Sequence, residues 1–452
     1  MVTDKTAEAT PRASLSLFDA CALIVGIVIG AGIFRAPSIV ASQVSTESVF
    51  LLLWLAGGLI SLVGALCYAE LGSAHPNAGG EYFFLRRAYG GWLAFLFAWA
   101  RMSVVQTGAI AAIAFVFGDY ASRLLPLGPN SSAVYAAFAV IVITALNVLG
   151  TTQSKRVQNV LTAGLAIAIL AVVAAGLTNA APAAAPAAAA AGSGLGFSGL
   201  AVIFIMLTYG GWNEAAYLTA EIQDSRRNIV RALVIGILVV SVLYLAMNYA
   251  YVRVLGLEGM KASKAVAADL MQAAFGSAGA VALSLIVMAA SLSTLNATVF
   301  TGARTNYALG RDYPLFGFLG HWHERSNTPI RGLLWQGAIS LALVFLASFT
   351  HDGFETLVAY TAPAFWLFFL LTGVSLFILR RQRPDNANPF RVPLFPLTPL
   401  VFCAMCAYML YSSVGYAMSL DSGSIGARLG IGVLLLGIPL LLFNRRPATA
   451  KA

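Results

Sequence analysis

Residues 49–69 run for 21 positions without a charge, and residues 396–418 for 23. A helix crossing the hydrocarbon core of a bilayer needs about 20 mostly apolar residues, so either run is long enough to span. Twelve such runs can be marked along the 452 residues: 17–41, 49–73, 91–119, 132–150, 155–178, 198–220, 229–254, 278–308, 331–348, 354–379, 396–418 and 426–443. They are continuous rather than alternating, which excludes an outer-membrane barrel, whose strands face lipid and lumen in turn. Only 10% of residues are charged and 59% are apolar, against roughly 25% charged in a soluble domain. A soluble enzyme, a disordered chain and a coiled coil are therefore excluded. What remains is an all-α protein with twelve transmembrane helices.

The net charge of +9 does not imply nucleic acid, because the basic residues fall in twos and threes between apolar runs. With the N-terminus inside, 20 of the 27 Lys and Arg lie in inner segments and five in outer loops. That bias orients both termini to the cytoplasm and predicts a multi-pass protein of the cytoplasmic (inner) membrane. Residues 1–16 and 444–452 read as cytoplasmic tails, with no cleavable signal peptide visible, and the Ala/Pro-rich stretch 179–197 as an external loop. Cys21, Cys67, Cys403 and Cys406 sit in apolar runs and form no disulfide framework or zinc spacing. His321 and His323 lack a third ligand, so neither a metal site nor a membrane metallohydrolase is expected.

The first run contains Gly26, Gly30 and Gly32 in mid-membrane, where each costs about 1 kcal/mol relative to Ala in a helix. Small-residue packing could explain one such run. The sixth run repeats the feature at Gly210-Gly211, 180 residues and five runs after Gly30. Five is odd, so a repeat of five helices must be inverted. The units are then 17–178 and 198–379, with 380–443 as two accessory helices. Interrupted helices at matching positions of two inverted halves point to a transporter binding site. The free N–H groups that start the outer half-helices suit a carboxylate. The freed carbonyls suit an ammonium group. Together they suit a zwitterion such as an α-amino acid.

Four strings give a resemblance: Ile29-Gly-Ala-Gly-Ile-Phe34, Tyr68-Ala-Glu-Leu-Gly-Ser-Ala-His-Pro-Asn-Ala-Gly-Gly-Glu-Tyr82, Tyr209-Gly-Gly-Trp-Asn213, and Ala220-Glu-Ile-Gln-Asp-Ser-Arg-Arg-Asn-Ile229. The chain resembles the amino acid–polyamine–organocation family of permeases, nearest its L-type amino acid transporter branch. The resemblance implies a LeuT-like five-plus-five inverted repeat with helices 1 and 6 broken. It places the substrate carboxylate near Gly30, Ala31 and Gly32, and the amino group on carbonyls near Val28, Leu207, Thr208 and Tyr209, ahead of Gly210. The sequence departs from the branch at Leu165, where a Lys is usual, at Leu207, where an aromatic gate is frequent, and at Ser225, where a Pro is usual.

The expected function is secondary transport of small or medium neutral L-amino acids by alternating access. A transporter-like amino acid sensor is the alternative class, and cationic amino acids or polyamines the alternative substrates. Coupling is open. Leu165 cannot supply the charge of the usual Lys. By similarity to sodium-coupled LeuT-like proteins, Gly26 and Ile29 carbonyls with Ala290, Ser293 and Thr294 would form an oxygen cage suited to Na+. A proton carried by Glu214, or exchange, is the rival. Ser293 and Thr294 could instead bond to carbonyls one turn back along their own helix. Intramembrane charges are functional by default: Arg35 is expected to gate the outside with Glu355 or to snorkel, and Arg101 to face the interior with a partner the sequence does not name; Glu214 reads as a proton carrier, a selectivity charge or one half of a buried pair with Arg101. Glu70 and Glu221 read as inner-gate partners. Amino acid and membrane lipid are the expected partners. No oligomeric state follows from the sequence.

Overall fold

The computed structural model describes residues 16–75, 79–150, 155–178, 196–218, 222–323, 326, 328–382, 390–420 and 424–443. The two tails, most of the 179–197 loop and Glu221 lie outside the described residues. The described chain is helical, and two isolated bridges, Val44–Phe197 and His323–Thr328, are its only extended pairings.

In order the helices are α1 (Leu17–Val28), α2 (Ala36–Ser42), α3 (Glu47–Ala74), α4 (Gly80–Tyr89), α5 (Gly91–Ala100), α6 (Gln106–Leu124), α7 (Ser131–Val148), α8 (Lys155–Thr178), α9 (Gly199–Thr208), α10 (Ala215–Leu218), α11 (Ser225–Lys261), α12 (Val266–Asp312), α13 (Ile330–Ala347), α14 (Gly353–Arg381), α15 (Leu397–Ala417) and α16 (Ser424–Phe443). Nine helices among the described residues are long and apolar enough to cross a membrane. Three shorter apolar helices, Leu17–Val28, Ile167–Thr178 and Gly199–Thr208, fall within the first, fifth and sixth runs. Two of the three are short because their runs are interrupted.

Local chemistry sets the ends. Ser16 and Asp19 form a reciprocal capping box at the start of α1, satisfying N–H groups that no earlier turn can reach. Thr46, Ser198 and Asp352 cap α3, α9 and α14 with a single bond each, their side chains accepting from the N–H groups of Val49, Ala201 and Glu355. The chain turns sharply within α11 at Gly256 and within α12 at Gly276, both at positive φ. These bends separate the membrane runs ending at 254 and beginning at 278 from the short amphipathic stretch between them. The core is continuous through most helices, with Trp54, Trp212, Trp366, Tyr209 and Tyr244 almost completely buried at its centre.

Candidate functional site

The site begins where α1 and α9 stop. Beyond Val28 the backbone leaves the helix at Ile29 (φ −73°, ψ 76°) and Gly30 (φ −95°, ψ −173°), then tightens into a 3-10 turn over Ala31–Phe34. Beyond Thr208, Gly211 takes φ +103° before a second 3-10 turn, Trp212–Glu214. An L-residue with a Cβ resists that φ, and a Cβ there would stand 3.1 Å from the Ile27 side chain and 3.2 Å from its carbonyl. The two interruptions therefore abut. A Cβ on Gly32 would lie 3.6 Å from the Thr208 side chain, which leaves room for one methyl group and little more.

One side chain joins both breaks. The Tyr244 hydroxyl of α11 lies 2.8 Å from the Val28 carbonyl and 3.3 Å from that of Thr208. The Gly30 N–H also donates to the Val28 carbonyl, at 2.7 Å, and the Gly210 N–H to the Leu207 carbonyl, at 3.1 Å. This corrects part of the expected geometry. Gly30 spends its N–H within the break, so Ala31 and Gly32, which open the 3-10 turn, carry the donors free of helical acceptors. Both lone-pair directions of the Val28 carbonyl are also taken, by Tyr244 and by the Gly30 N–H.

On the far side, where α2 and the end of α6 meet the start of α14, Arg35 is 3% exposed. Its Nε donates to Asp119 at 3.0 Å, and its guanidinium also pairs with Asp352 and donates to Ser38. Asp119 accepts in addition from Ser132 at 2.5 Å. The expected Arg35–Glu355 pair is not formed. Glu355 lies one turn into α14 and accepts from Tyr416 at 3.0 Å, while Asp352, capping the helix, projects toward Arg35. A buried guanidinium between two carboxylates also rules out snorkelling.

On the near side, Arg101 meets Glu214 at 3.0 and 3.2 Å and approaches Glu81 of α4 at 3.8 Å. Glu81 accepts from Tyr68 at 2.6 Å and from Asn213 at 3.3 Å. One charge cluster thus ties α3, α4 and the segment after the second break to the helix carrying Arg101. A cavity of about 50 Å³ beside it is lined by Gln106, Asn213, Phe365 and Phe369, room for one or two waters. Arg101–Val105 is a π-turn, with the Gln106 N–H bonded to the Arg101 carbonyl. Such a wide turn leaves a carbonyl over; that of Ser103 accepts from Tyr360 and Thr107, both at 2.8 Å. Further along this face, Glu70 pairs with Arg380 at 3.3 Å and accepts from the Val392 N–H at 2.6 Å.

Ala290, Ser293 and Thr294 lie together on α12, and Ala290 and Ser293 are buried. The Thr294 hydroxyl donates to the Ala290 carbonyl at 3.1 Å. Two of the five oxygens of the expected sodium cage thus engage each other, and the set contains no carboxylate. The residues fit a sodium ion only in part. Leu165 is buried among apolar side chains.

The family described as amino acid permease matches residues 15–435. The chain belongs to that family. As one of its permeases, it is a multi-pass membrane protein that transports amino acids. It is 30% identical over 408 residues to the b(0,+)-type amino acid transporter 1 of Mus musculus, covering 88% of this chain and 82% of that one. It is 30% identical over 445 residues to the large neutral amino acids transporter small subunit 2 of Homo sapiens, covering 95% and 80%. The serine/threonine exchanger SteT of Bacillus subtilis (strain 168) is 27% identical over 436 residues, covering 95% and 96%.

Sequence reasoning missed four residues of this permease's site. Asp119 and Glu81 carried a signal, as acids within or beside apolar runs near an unassigned arginine. Asp352 is visible as a helix cap but not as a partner of Arg35. Tyr244, inside an ordinary apolar run, gives none.

Proposed function

We propose that the permease exchanges small or medium neutral L-amino acids across the cytoplasmic membrane by alternating access, with both termini cytoplasmic. The proposed frame is twelve spans in a LeuT-like inverted repeat. The substrate carboxylate rests on the N–H groups of Ala31 and Gly32, and its ammonium group on the carbonyls of Thr208 and Tyr209. The Arg35–Asp119–Asp352 set closes the outer path and the Arg101–Glu214–Glu81 set restrains the inner one. Each must part in turn for substrate to enter and leave.

The observation that carries the neutral assignment is the Arg101–Glu214 pair. An unpartnered acid one turn beyond the break would recruit cationic substrates; a guanidinium 3.0 Å away offsets that attraction. Two of the relatives' names, a large neutral amino acids transporter and a serine/threonine exchanger, support this reading. The Thr294–Ala290 bond weighs against sodium, and no step is assigned to that ion or to a proton on Glu214.

Counterflow into proteoliposomes tests the proposal. Labelled serine, alanine or leucine should enter vesicles preloaded with a neutral amino acid, equally in sodium and in choline, and should barely enter empty ones. Faster uptake of arginine or putrescine would overturn the neutral assignment. Accumulation in empty vesicles under a sodium or pH gradient would replace exchange with coupling. A sensor would show no counterflow at all.

A further inference from the structure

A crevice of about 510 Å³ opens between α13, α14 and α16, with walls formed by Leu343, Leu346, Leu357, Tyr360 and Leu429. At about 30 Å³ for a group the size of a water, this space matches one long acyl chain. The crevice cannot close by helix approach. Gly426 and Gly430 already bring α16 against the backbone of α14, where an added Cβ would meet the carbonyls of Thr356 and Tyr360 at 2.1 and 2.0 Å. Tyr360, on the α14 wall, is pinned through its hydroxyl to Ser103. Water gains little in so apolar a space, because it needs several polar partners to occupy a cavity.

One cation stands at its mouth. Arg428 lines the crevice and is held there by three hydrogen bonds: Nε to the Ala417 carbonyl at 2.7 Å, and Nη2 to the Ser419 carbonyl and to the Ser424 hydroxyl at 2.7 Å. These bonds cap the end of α15 and use one edge of the guanidinium, and among the described residues no hydrogen bond engages Nη1. Arg123 and Lys261, also toward this face, are paired with Asp269 and Glu258. Among the described residues Arg428 forms no ion pair with a carboxylate. A fixed guanidinium at one end of a chain-sized apolar slot is complementary to a molecule with an anionic head and a hydrocarbon tail, and the surrounding bilayer supplies such molecules.

We propose that this crevice binds an anionic phospholipid, with its phosphate on the Nη1 edge of Arg428 and one acyl chain between α13, α14 and α16. The site is separate from the amino acid path and does not depend on which amino acid is carried.

The full-length permease, reconstituted in nanodiscs containing equal amounts of phosphatidylglycerol and phosphatidylcholine of matched chains, is released and its retained lipids are counted by native mass spectrometry. The wild type should retain phosphatidylglycerol over phosphatidylcholine by about fivefold, the equivalent of about 1 kcal/mol for one basic residue at an anionic headgroup. Arg428→Gln should lose that preference. Because Arg428 also caps α15, a second variant guards against misfolding: Leu346→Trp fills the slot from an exposed position and should remove the retained lipid with Arg428 intact. Equal retention of the two lipids by the wild type, unchanged preference in Arg428→Gln, or unchanged retention in Leu346→Trp would each overturn the proposal.

Discussion

Arg35, between the two halves of the first broken helix, is ion-paired with Asp352, the residue that caps α14. Asp352 divides its oxygens: Oδ1 accepts from the Glu355 N–H at 3.0 Å, and Oδ2 meets the guanidinium. The start of α14 and the proposed outer closure therefore share the same few atoms. In that proposal, opening the outer path would strip the cap's charge partner without removing the cap.

The first prediction follows from that sharing. Breaking a buried ion pair from one side costs about 3–5 kcal/mol, so Arg35→Ala should destabilise the closed outer face. A single cysteine placed just inside it should label faster from outside, and counterflow should fall about tenfold. Asp352→Asn should reproduce much of this effect while keeping the cap. Glu355→Gln should do little to labelling; an effect as large as that of Asp352→Asn would restore Glu355 as the partner.

Arg101→Ala leaves Glu214 facing the cavity without its guanidinium. The ratio of arginine to leucine uptake should rise about tenfold, a shift of about 1.4 kcal/mol. Glu214→Gln in the same background should return the ratio to its original value. A ratio that stays flat in Arg101→Ala would show that Glu214 does not face the substrate path.

These two predictions also show what could be read from the sequence. Both breaks were legible because glycines recur at matching positions of two inverted halves; a glycine pair alone says less, since Gly57-Gly58 sits inside the unbroken α3, packed against Ile205, Tyr209 and Ser241. The depth of Arg35, Arg101 and Glu214 follows from counting residues along an apolar run. Direction around a helix axis is much harder to count. Asp352 and Glu355 lie at nearly the same depth, and only the fold shows which one is turned to Arg35. Tyr244 was hidden for a related reason. A tyrosine in an apolar run reads as core until the carbonyl that its hydroxyl meets is known.

Tyr244→Phe deletes the hydroxyl that both breaks share. An unsatisfied buried acceptor costs about 1–3 kcal/mol, so the melting temperature should drop and substrate affinity should change. If Tyr244→Phe matches the wild type in both, the hydroxyl has no part in holding the breaks together.

Glycine replacements should grade by position. Gly32→Ala should fold and retain some transport, because 3.6 Å to Thr208 accepts a methyl group. Gly32→Leu should fold but lose transport, its side chain filling the approach to the N–H groups. Gly211→Ala should lose stability by about 1–2 kcal/mol from its left-handed φ, beyond any contact with Ile27. Normal uptake by Gly32→Leu would move the substrate elsewhere.

The wide turn at Arg101–Val105 has a consequence for aim. Arg101 and Asp119 are 18 residues apart on one continuous rod. In a regular α-helix that interval is five whole turns at about 3.6 residues each, which would point both charges the same way. The π-turn inserts about one residue and so sets the screw back by about 100°. The acid at one end and the base at the other are thereby dialled to different bearings, and each finds its own partner across the molecule. Deleting one residue there would leave 17 regular steps and the same bearings, whereas rewinding all 18 residues as regular α-helix would bring the two into line and leave at least one of them aimed at nothing.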